Sequence, residues 1–291
     1  MTVVFLVTLL FYNGRGMVDA TTLMLFAGCL PLALVGYIDD LRGLSIRWRL
    51  AAQLASALWV IYWVGDLPAI QFGGLRLENS PLINLLAVVS FVWLLNLFNF
   101  MDGIDGLAAS EAVIVMLVSC LLATLGGETR ELPVASLAIA VTLGFLFWNW
   151  PPAKIFMGDA GSNFLAYLIG ALALTGIANG GSTPWVWLLL LGVFVVDSTY
   201  TLAYRLIDRQ TWYQGHSNHG YQHAARRAGS HRRVTVGVIT ITLLWLAPLG
   251  GVATVKPEAG FYLAVIGLMP LLYLARRLRA GTPAVEMCGT N

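Results

Sequence analysis

Four short runs carry residue types that could do chemistry. They are Gly36-Tyr37-Ile38-Asp39-Asp40, then Asn96-Leu97-Phe98-Asn99-Phe100-Met101-Asp102-Gly103-Ile104-Asp105-Gly106, then Asn149 through Lys154-Ile155-Phe156-Met157-Gly158-Asp159-Ala160-Gly161-Ser162, and finally His216-Ser217-Asn218-His219-Gly220-Tyr221-Gln222-His223. Each run alone has an ordinary explanation: the solvated start of a loop, a turn held by Asp side chains, a helix start favoured by Asp and Ser, a set of surface histidines. Together they put five carboxylates, Asp39, Asp40, Asp102, Asp105 and Asp159, beside amides and imidazoles. Carboxylates that converge repel one another unless cations compensate. Hard oxygen ligands suit Mg²⁺, with Mn²⁺ as the alternative, better than zinc. Mg²⁺ is usually held by one or two carboxylates together with waters and phosphate oxygens, so this set points to phosphate chemistry.

The elements that must position these runs are apolar. Of 291 residues, 58% are hydrophobic and 11% charged, against about 25% charged in a soluble domain. The mean hydropathy is +0.76. A soluble chain of this composition would expose large apolar patches, whereas segments of about 20 apolar residues match the thickness of a bilayer. Hydropathy predicts ten helical spans, roughly 1–12, 20–38, 48–65, 82–99, 107–125, 132–149, 161–178, 184–206, 234–254 and 259–276. The first is short for a crossing. It also lacks the basic flank and cleavage site of a signal peptide. The expected fold is therefore an all-α, polytopic transmembrane helical bundle. Residues 1–280 form one transmembrane domain and 281–291 a C-terminal tail.

Alternation of the spans divides the loops into two sets. Arg15, Arg76, Arg130 and Lys256 fall on one side, and the other thirteen of the 17 lysines and arginines fall on the other. The positive-inside rule makes the second side cytoplasmic, and all four polar runs lie on it. On the outer side, Ala69 to Asn79 alternates around Gly73-Gly74, which predicts a small periplasmic β-hairpin, with an irregular loop as the competing expectation. A net charge of +2 is too small to argue for nucleic acid. Cys29, Cys120 and Cys288 are scattered, with neither CxxC nor zinc spacing.

Taken as a set, the runs resemble the polyprenyl-phosphate N-acetylhexosamine-1-phosphate transferases, from about Val35 to Gln222. Within that family the resemblance is greatest to the branch that initiates O-antigen and related surface polysaccharides. It rests on Asp39-Asp40-Leu41-Arg42-Gly43-Leu44-Ser45, on Asn96…Asn99-Phe100-Met101-Asp102-Gly103-Ile104-Asp105-Gly106, and on Trp212-Tyr213…His216…His219…Tyr221-Gln222. The tighter histidine cluster typical of the peptidoglycan branch is absent. The resemblance implies a multi-pass enzyme of the bacterial inner membrane with its cleft open to the cytoplasm. It would move N-acetylhexosamine 1-phosphate from a UDP-N-acetylhexosamine to undecaprenyl phosphate and release UMP. Monomer and homodimer both stay open.

The resemblance also implies roles. Asp159 would coordinate Mg²⁺, and Asn99 would lie beside the metal and the diphosphate. Phe156 would pack on the uracil, Asp102 would lie near the nucleoside, and Asp105 would support it. Asp39, with Asp40 as its rival, would act on the acceptor phosphate, and His216 and His219 would contact phosphate. Lys154, Arg205 and Arg209 are candidates for binding anionic substrate; for the arginines, together with Arg226 and Arg227, ordinary positive-inside bias is the competing explanation. The chain departs from the family pattern in starting close to where the second span would begin, without the upstream span and its nucleotide-side loop. Gly43 stands where some relatives carry Lys, a loss that Arg42, Arg47 or Arg49 would offset. An inactive or truncated homologue is the competing expectation. An ion-coupled transporter is a further one, but it would need charges near the middle of its spans and broken helices in pairs.

Overall fold

A computed structural model describes residues 1–210 and 217–283. Its helices are α1 (Thr2–Gly14), α2 (Ala20–Ala27), α3 (Cys29–Arg42), α4 (Ile46–Val64), α5 (Ser80–Met101), α6 (Leu107–Leu125), α7 (Leu132–Asn149) and α8 (Gly158–Ala178). They continue with α9 (Pro184–Leu190), α10 (Gly192–Ile207), α11 (Gly220–Ala228), α12 (His231–Ile241), α13 (Ala247–Val255) and α14 (Gly260–Arg277). A π-helical turn, Thr242–Leu246, joins α12 to α13. Two strands, β1 (Ile70–Phe72) and β2 (Leu75–Leu77), pair antiparallel with Gln71 opposite Arg76, so the expected hairpin forms. The all-α membrane bundle is thus the observed architecture.

The number of spans is smaller than expected. Seven helical stretches are long and apolar enough to cross a bilayer, and α9 with α10, bent by 80°, makes an eighth if the pair is one span. The expectation of ten is corrected at two places. Helix α1 has 13 residues, about 20 Å at 1.5 Å per residue against a hydrocarbon core of about 30 Å. Helix α4 has 19 residues, but Arg47, Arg49 and Gln53 interrupt its apolar length. The predicted span 184–206 is broken at Leu191, where Gly192 packs so closely on Leu268 that a Cβ would come within 2.8 Å.

Helix ends also run past the hydropathy limits. Asp39 and Asp40 lie on the last turn of α3, and Asp159 lies in the first turn of α8. Hydropathy falls at a charged residue, whereas the hydrogen-bonded helix continues until a cap stops it. Helix α8, with its run from Gly161 to Leu172 wholly buried, is the central post of the bundle. Helices α2, α3 and α5 pack against it, Tyr167 donating to the carbonyl of Leu25 on α2 (2.6 Å) and Phe91 of α5 meeting the Tyr167 ring edge-on. At the hairpin end, Trp185 donates to the carbonyl of Gln71 (2.8 Å), and its ring packs between Phe72 and Phe261. The opposite end gathers the C-termini of α3, α5 and α10 with the N-termini of α8, α11 and α12.

Candidate active site

The N-terminus of α8 is the focus of that polar end. Asp40 accepts the backbone N–H groups of Asp159 (2.9 Å) and Ala160 (3.3 Å). A carboxylate so placed satisfies donors that the first turn leaves without helical partners, and it favours the positive end of the helix dipole. Two glycines permit the approach. A Cβ on Gly36 would stand 2.7 Å from the nitrogen of Ala160, so only glycine lets α3 reach α8. Gly158 has φ +64°, and a Cβ there would stand 2.6 Å from Asp40 Oδ2.

Asp40 holds the backbone of Asp159; other groups hold its side chain. Asn99 Nδ2, from the last turn of α5, donates to Asp159 Oδ1 at 2.5 Å. Arg49, from the first turn of α4, places Nη2 3.2 Å from Asp159 Oδ2 and Nε 3.1 Å from Asp39 Oδ2. Asp39 also accepts the backbone N–H of Leu44. The paired aspartates therefore face different partners: Asp40 caps α8, while Asp39 joins an ion triad with Arg49 and Asp159. Of the three arginines expected to offset Gly43, Arg49 is the one that reaches the carboxylates; Arg42 and Arg47 are exposed. Asp102 caps α5 beside this cluster. Burial, and then the carboxylates of Asp159 and Asp40, push its carboxyl up to about 8.

The two loops beside the cluster are tied together. Asp105 Oδ2 accepts the N–H of Ala153 (3.1 Å), and Oδ1 lies 3.3 Å from His231 Nδ1. Thr235 donates to the Asp105 carbonyl (3.0 Å). Asn149 accepts from Gly106 N (3.0 Å) and donates to the carbonyl of Ile155 (2.9 Å). This bracing leaves Phe156 80% exposed on its loop. Lys154 lies over the Trp148 ring at 5.1 Å. A cavity of about 650 Å³ opens between these loops and α11–α12, lined among others by Ile104, Asp105, Pro151, Gln222, Arg226 and His231. A second, apolar cavity of about 300 Å³ lies between α5, α8 and α9, lined by Phe91, Leu94, Gly170 and Trp187 among others.

The structure thus brings Asp39, Asp40, Asn99, Asp102 and Asp159 together, with Asp105, Lys154 and Phe156 on adjoining loops. His219 is different: it is 2% exposed, its Nδ1 is 3.0 Å from Asp197 Oδ1, and its ring lies between Phe100 and Tyr221. Arg205 is buried on α10, and Arg209 is exposed just beyond it with φ +55°. His216 falls outside the described residues. Sequence reasoning missed Asp197 and gave Arg49 no more than a share in offsetting Gly43. The signal for Asp197 was present, since an ionisable residue inside Val193-Phe194-Val195-Val196-Asp197-Ser198-Thr199-Tyr200 is anomalous in a spanning helix.

Among the described residues, no group of three or more His, Cys, Asp or Glu side chains stands in a metal-binding arrangement. The donor set at Asp159 and Asn99, with Asp102 near enough to feel its charge, is oxygen-rich. It fits a hard ion that takes few protein ligands and completes its shell elsewhere, as Mg²⁺ does, and does not fit a closed cage.

Residues 22–177 match the model of glycosyl transferase family 4. That stretch holds Asp39, Asp40, Asn99, Asp102, Asp105, Lys154, Phe156 and Asp159, but not Arg205, Arg209 or the histidines. The chain is 33% identical over 217 residues to a probable undecaprenyl-phosphate N-acetylglucosaminyl 1-phosphate transferase of Bacillus subtilis, covering 73% of this chain and 60% of that protein. It is 30% identical over 271 residues to the decaprenyl-phosphate N-acetylglucosaminephosphotransferase of Mycobacterium tuberculosis, covering 84% and 66%. It is 31% identical over 200 residues to a phospho-N-acetylmuramoyl-pentapeptide-transferase of Streptococcus thermophilus, covering 65% and 57%. The chain therefore spans roughly three fifths of the length of these relatives.

Proposed function

The chain belongs to glycosyl transferase family 4, and on that premise we propose that it transfers N-acetylhexosamine 1-phosphate from a UDP-sugar to undecaprenyl phosphate, so starting a lipid-linked surface polysaccharide of the O-antigen kind. The observation that carries this reading is the fixing of Asp159 between Asn99 and Arg49 at the polar end of a membrane bundle. A lipid phosphate reaches an enzyme only at the membrane surface. A nucleotide sugar reaches it only from water. A charged cleft at the ends of spanning helices meets both.

In the proposed reaction an oxygen of the lipid phosphate attacks the phosphorus that bears the sugar. The bond from that phosphorus to the bridging oxygen breaks, and UMP leaves with the electron pair. The acceptor phosphate is already ionised near neutral pH, so it needs little help from a base. The difficulty is that anion attacks anion, and catalysis must neutralise charge in the transition state. Asp159 and Asn99 would hold Mg²⁺, or Mn²⁺, which when bound supplies that neutralisation. Arg49 holds the Asp159 carboxylate toward Asn99, and Asp40 fixes the turn that carries it. Asp102, as a neutral acid in this environment, would take the role nearest the nucleoside, and exposed Phe156 would cover the uracil. Asp39 and His216 keep the substrate-side roles that the resemblance implies, and Lys154, Arg205 and Arg209 stay candidates for binding anionic substrate, whereas His219, implied by the resemblance to contact phosphate, is buried against Asp197. The Lys and Arg distribution supports a cytoplasmic face for this end in a bacterial inner membrane.

The test mixes purified protein, Mg²⁺, undecaprenyl phosphate and a panel of UDP-N-acetylhexosamines, and measures UMP. Release that requires both lipid and divalent metal is expected, with Asp159→Asn inactive but folded. Absence of release with every donor refutes the reading for this chain.

A further inference from the structure

Asp197 is a carboxylate that follows the apolar run Val193-Phe194-Val195-Val196 of α10, it is 8% exposed, and no role given above explains it. Its environment is built to hold an anion. Oδ1 lies 3.0 Å from His219 Nδ1 and accepts the N–H of Gly220 at 3.1 Å; Oδ2 accepts the N–H of Tyr221 at 2.8 Å. Thr201 adds its hydroxyl to Oδ1 at 3.3 Å. Three consecutive residues at the start of α11 thus bind one carboxylate of α10, which is how a helix N-terminus takes an anion. Gly220 is required for the approach, since a Cβ there would stand 2.9 Å from Asp197 Oδ2.

The anchored segment reaches the catalytic end of α5. Tyr221 donates its hydroxyl to the carbonyl of Phe100 at 2.9 Å. The His219 ring lies between the rings of Phe100 and Tyr221, 5.7 Å from each. Phe100 stands between Asn99 and Asp102. A shift of α11 therefore moves the two side chains of α5 that face Asp159.

We infer that Asp197 and His219 are a buried positioning pair, which acts through Tyr221 and Phe100 to set Asn99 and Asp102 against Asp159. This rests on the transferase reading. It assigns His219 to the inside of the protein, with no contact to substrate. A helix cap that only stabilised α11 would lower thermal stability and leave turnover of the folded fraction intact. A positioning pair lowers kcat and leaves substrate affinity nearly alone.

The test compares Asp197→Asn, Tyr221→Phe, their double variant and Thr201→Val, each purified in detergent. Asp197→Asn keeps the shape and loses the charge; Tyr221→Phe removes the hydroxyl that meets the Phe100 carbonyl and the neighbouring Gly103 and Gln222; Thr201→Val removes a hydrogen bond to the same carboxylate without touching α11. We expect kcat to fall at least ten-fold in the first two, with KM for the UDP-sugar within three-fold of wild type. The double variant should be no slower than Asp197→Asn alone, because groups acting as one unit are not additive. Thr201→Val should keep kcat within two-fold. Hydrogen–deuterium exchange of peptides covering 96–106 should rise in Asp197→Asn and not in Thr201→Val. Full kcat in folded Asp197→Asn, a KM effect alone, or additive losses in the double variant would overturn the inference. Should wild type turn over no donor, the transferase reading fails, and the exchange of 96–106 alone decides this one: faster exchange in Asp197→Asn supports the link, and unchanged exchange refutes it.

Discussion

Replacing Arg49 by Met removes the cation shared by Asp39 and Asp159 and leaves the length of the side chain. The two contacts are 3.1 and 3.2 Å. At an effective dielectric of about 20, each represents roughly 5 kcal/mol of gross attraction. Much of that is offset by desolvation and by screening, because Arg49 is 34% and Asp159 25% exposed, although Asp39 is only 9% exposed. Exposed pairs contribute about 0.2–1 kcal/mol, and stripping one partner from a buried pair costs about 3–5 kcal/mol. Arg49 lies between these limits, and about 2 kcal/mol is the expected loss. At roughly 2–4 °C per kcal/mol, the melting temperature in chelator should fall by about 4–8 °C.

The same variant tests the charge argument for the site. Without Arg49, Asp39 and Asp159 have lost a shared cation, so a divalent ion that binds there should stabilise the variant more than it stabilises wild type. Differential scanning fluorimetry in detergent, with EDTA and then with millimolar Mg²⁺, measures both effects. Arg49→Lys should recover no more than part of the loss, because an ammonium cannot span two carboxylates as the guanidinium fork does. A melting temperature within about 1 °C of wild type for Arg49→Met in EDTA would refute this account of how Asp159 is held.

Gly36→Ala should destabilise by about 1–3 kcal/mol and reduce turnover, since its Cβ meets backbone of α8 at 2.7–2.8 Å; wild-type melting and activity would mean that α3 and α8 do not approach so closely. Glu111 is 1% exposed, and both its oxygens lie 3.2 Å from Thr242 Oγ1 at the π-helical turn. Thr242→Val should cost about 1–3 kcal/mol by orphaning a buried carboxyl, whereas Glu111→Leu with Thr242→Val should be nearly neutral. Thermal melts of the two variants decide between that and simple additivity. Asp102 has its carboxyl raised from 3.8 to about 8 by burial and by its neighbours. Across that window the folded chain binds the proton more tightly than the unfolded chain, so the group destabilises increasingly as pH rises. In EDTA, Asp102→Asn should therefore raise the melting temperature more at pH 8 than at pH 5, and an equal gain at both would contradict the burial argument.

The sequence announced this site because carboxylates are conspicuous in a chain with 11% charged residues. It also announced the helices, because apolar runs of bilayer length leave few alternatives. It could not assign partners. Asp39 and Asp40 are neighbours on one helix, so their side chains leave it about 100° apart. Which of them meets α8 depends on where α8 lies, and the structure gives that to Asp40 while Asp39 turns to Arg49. The span count was too high for a different reason: α1 has 13 residues, and Arg47, Arg49 and Gln53 dilute the apolar length of α4, so neither helix is both long and apolar enough. His219 shows the deeper limit. Beside Asn218 and Gly220 it reads as a solvated residue poised for phosphate; Asp197, 22 positions earlier in an apolar helix, puts it inside. Motifs record which side chains are present. The distances among them are set by residues with no chemistry of their own, Gly36, Gly158 and Gly220 above all, each placed where a single added carbon would push a carboxylate or a helix away. The geometry of this site should therefore be as sensitive to those three glycines as to the aspartates they admit.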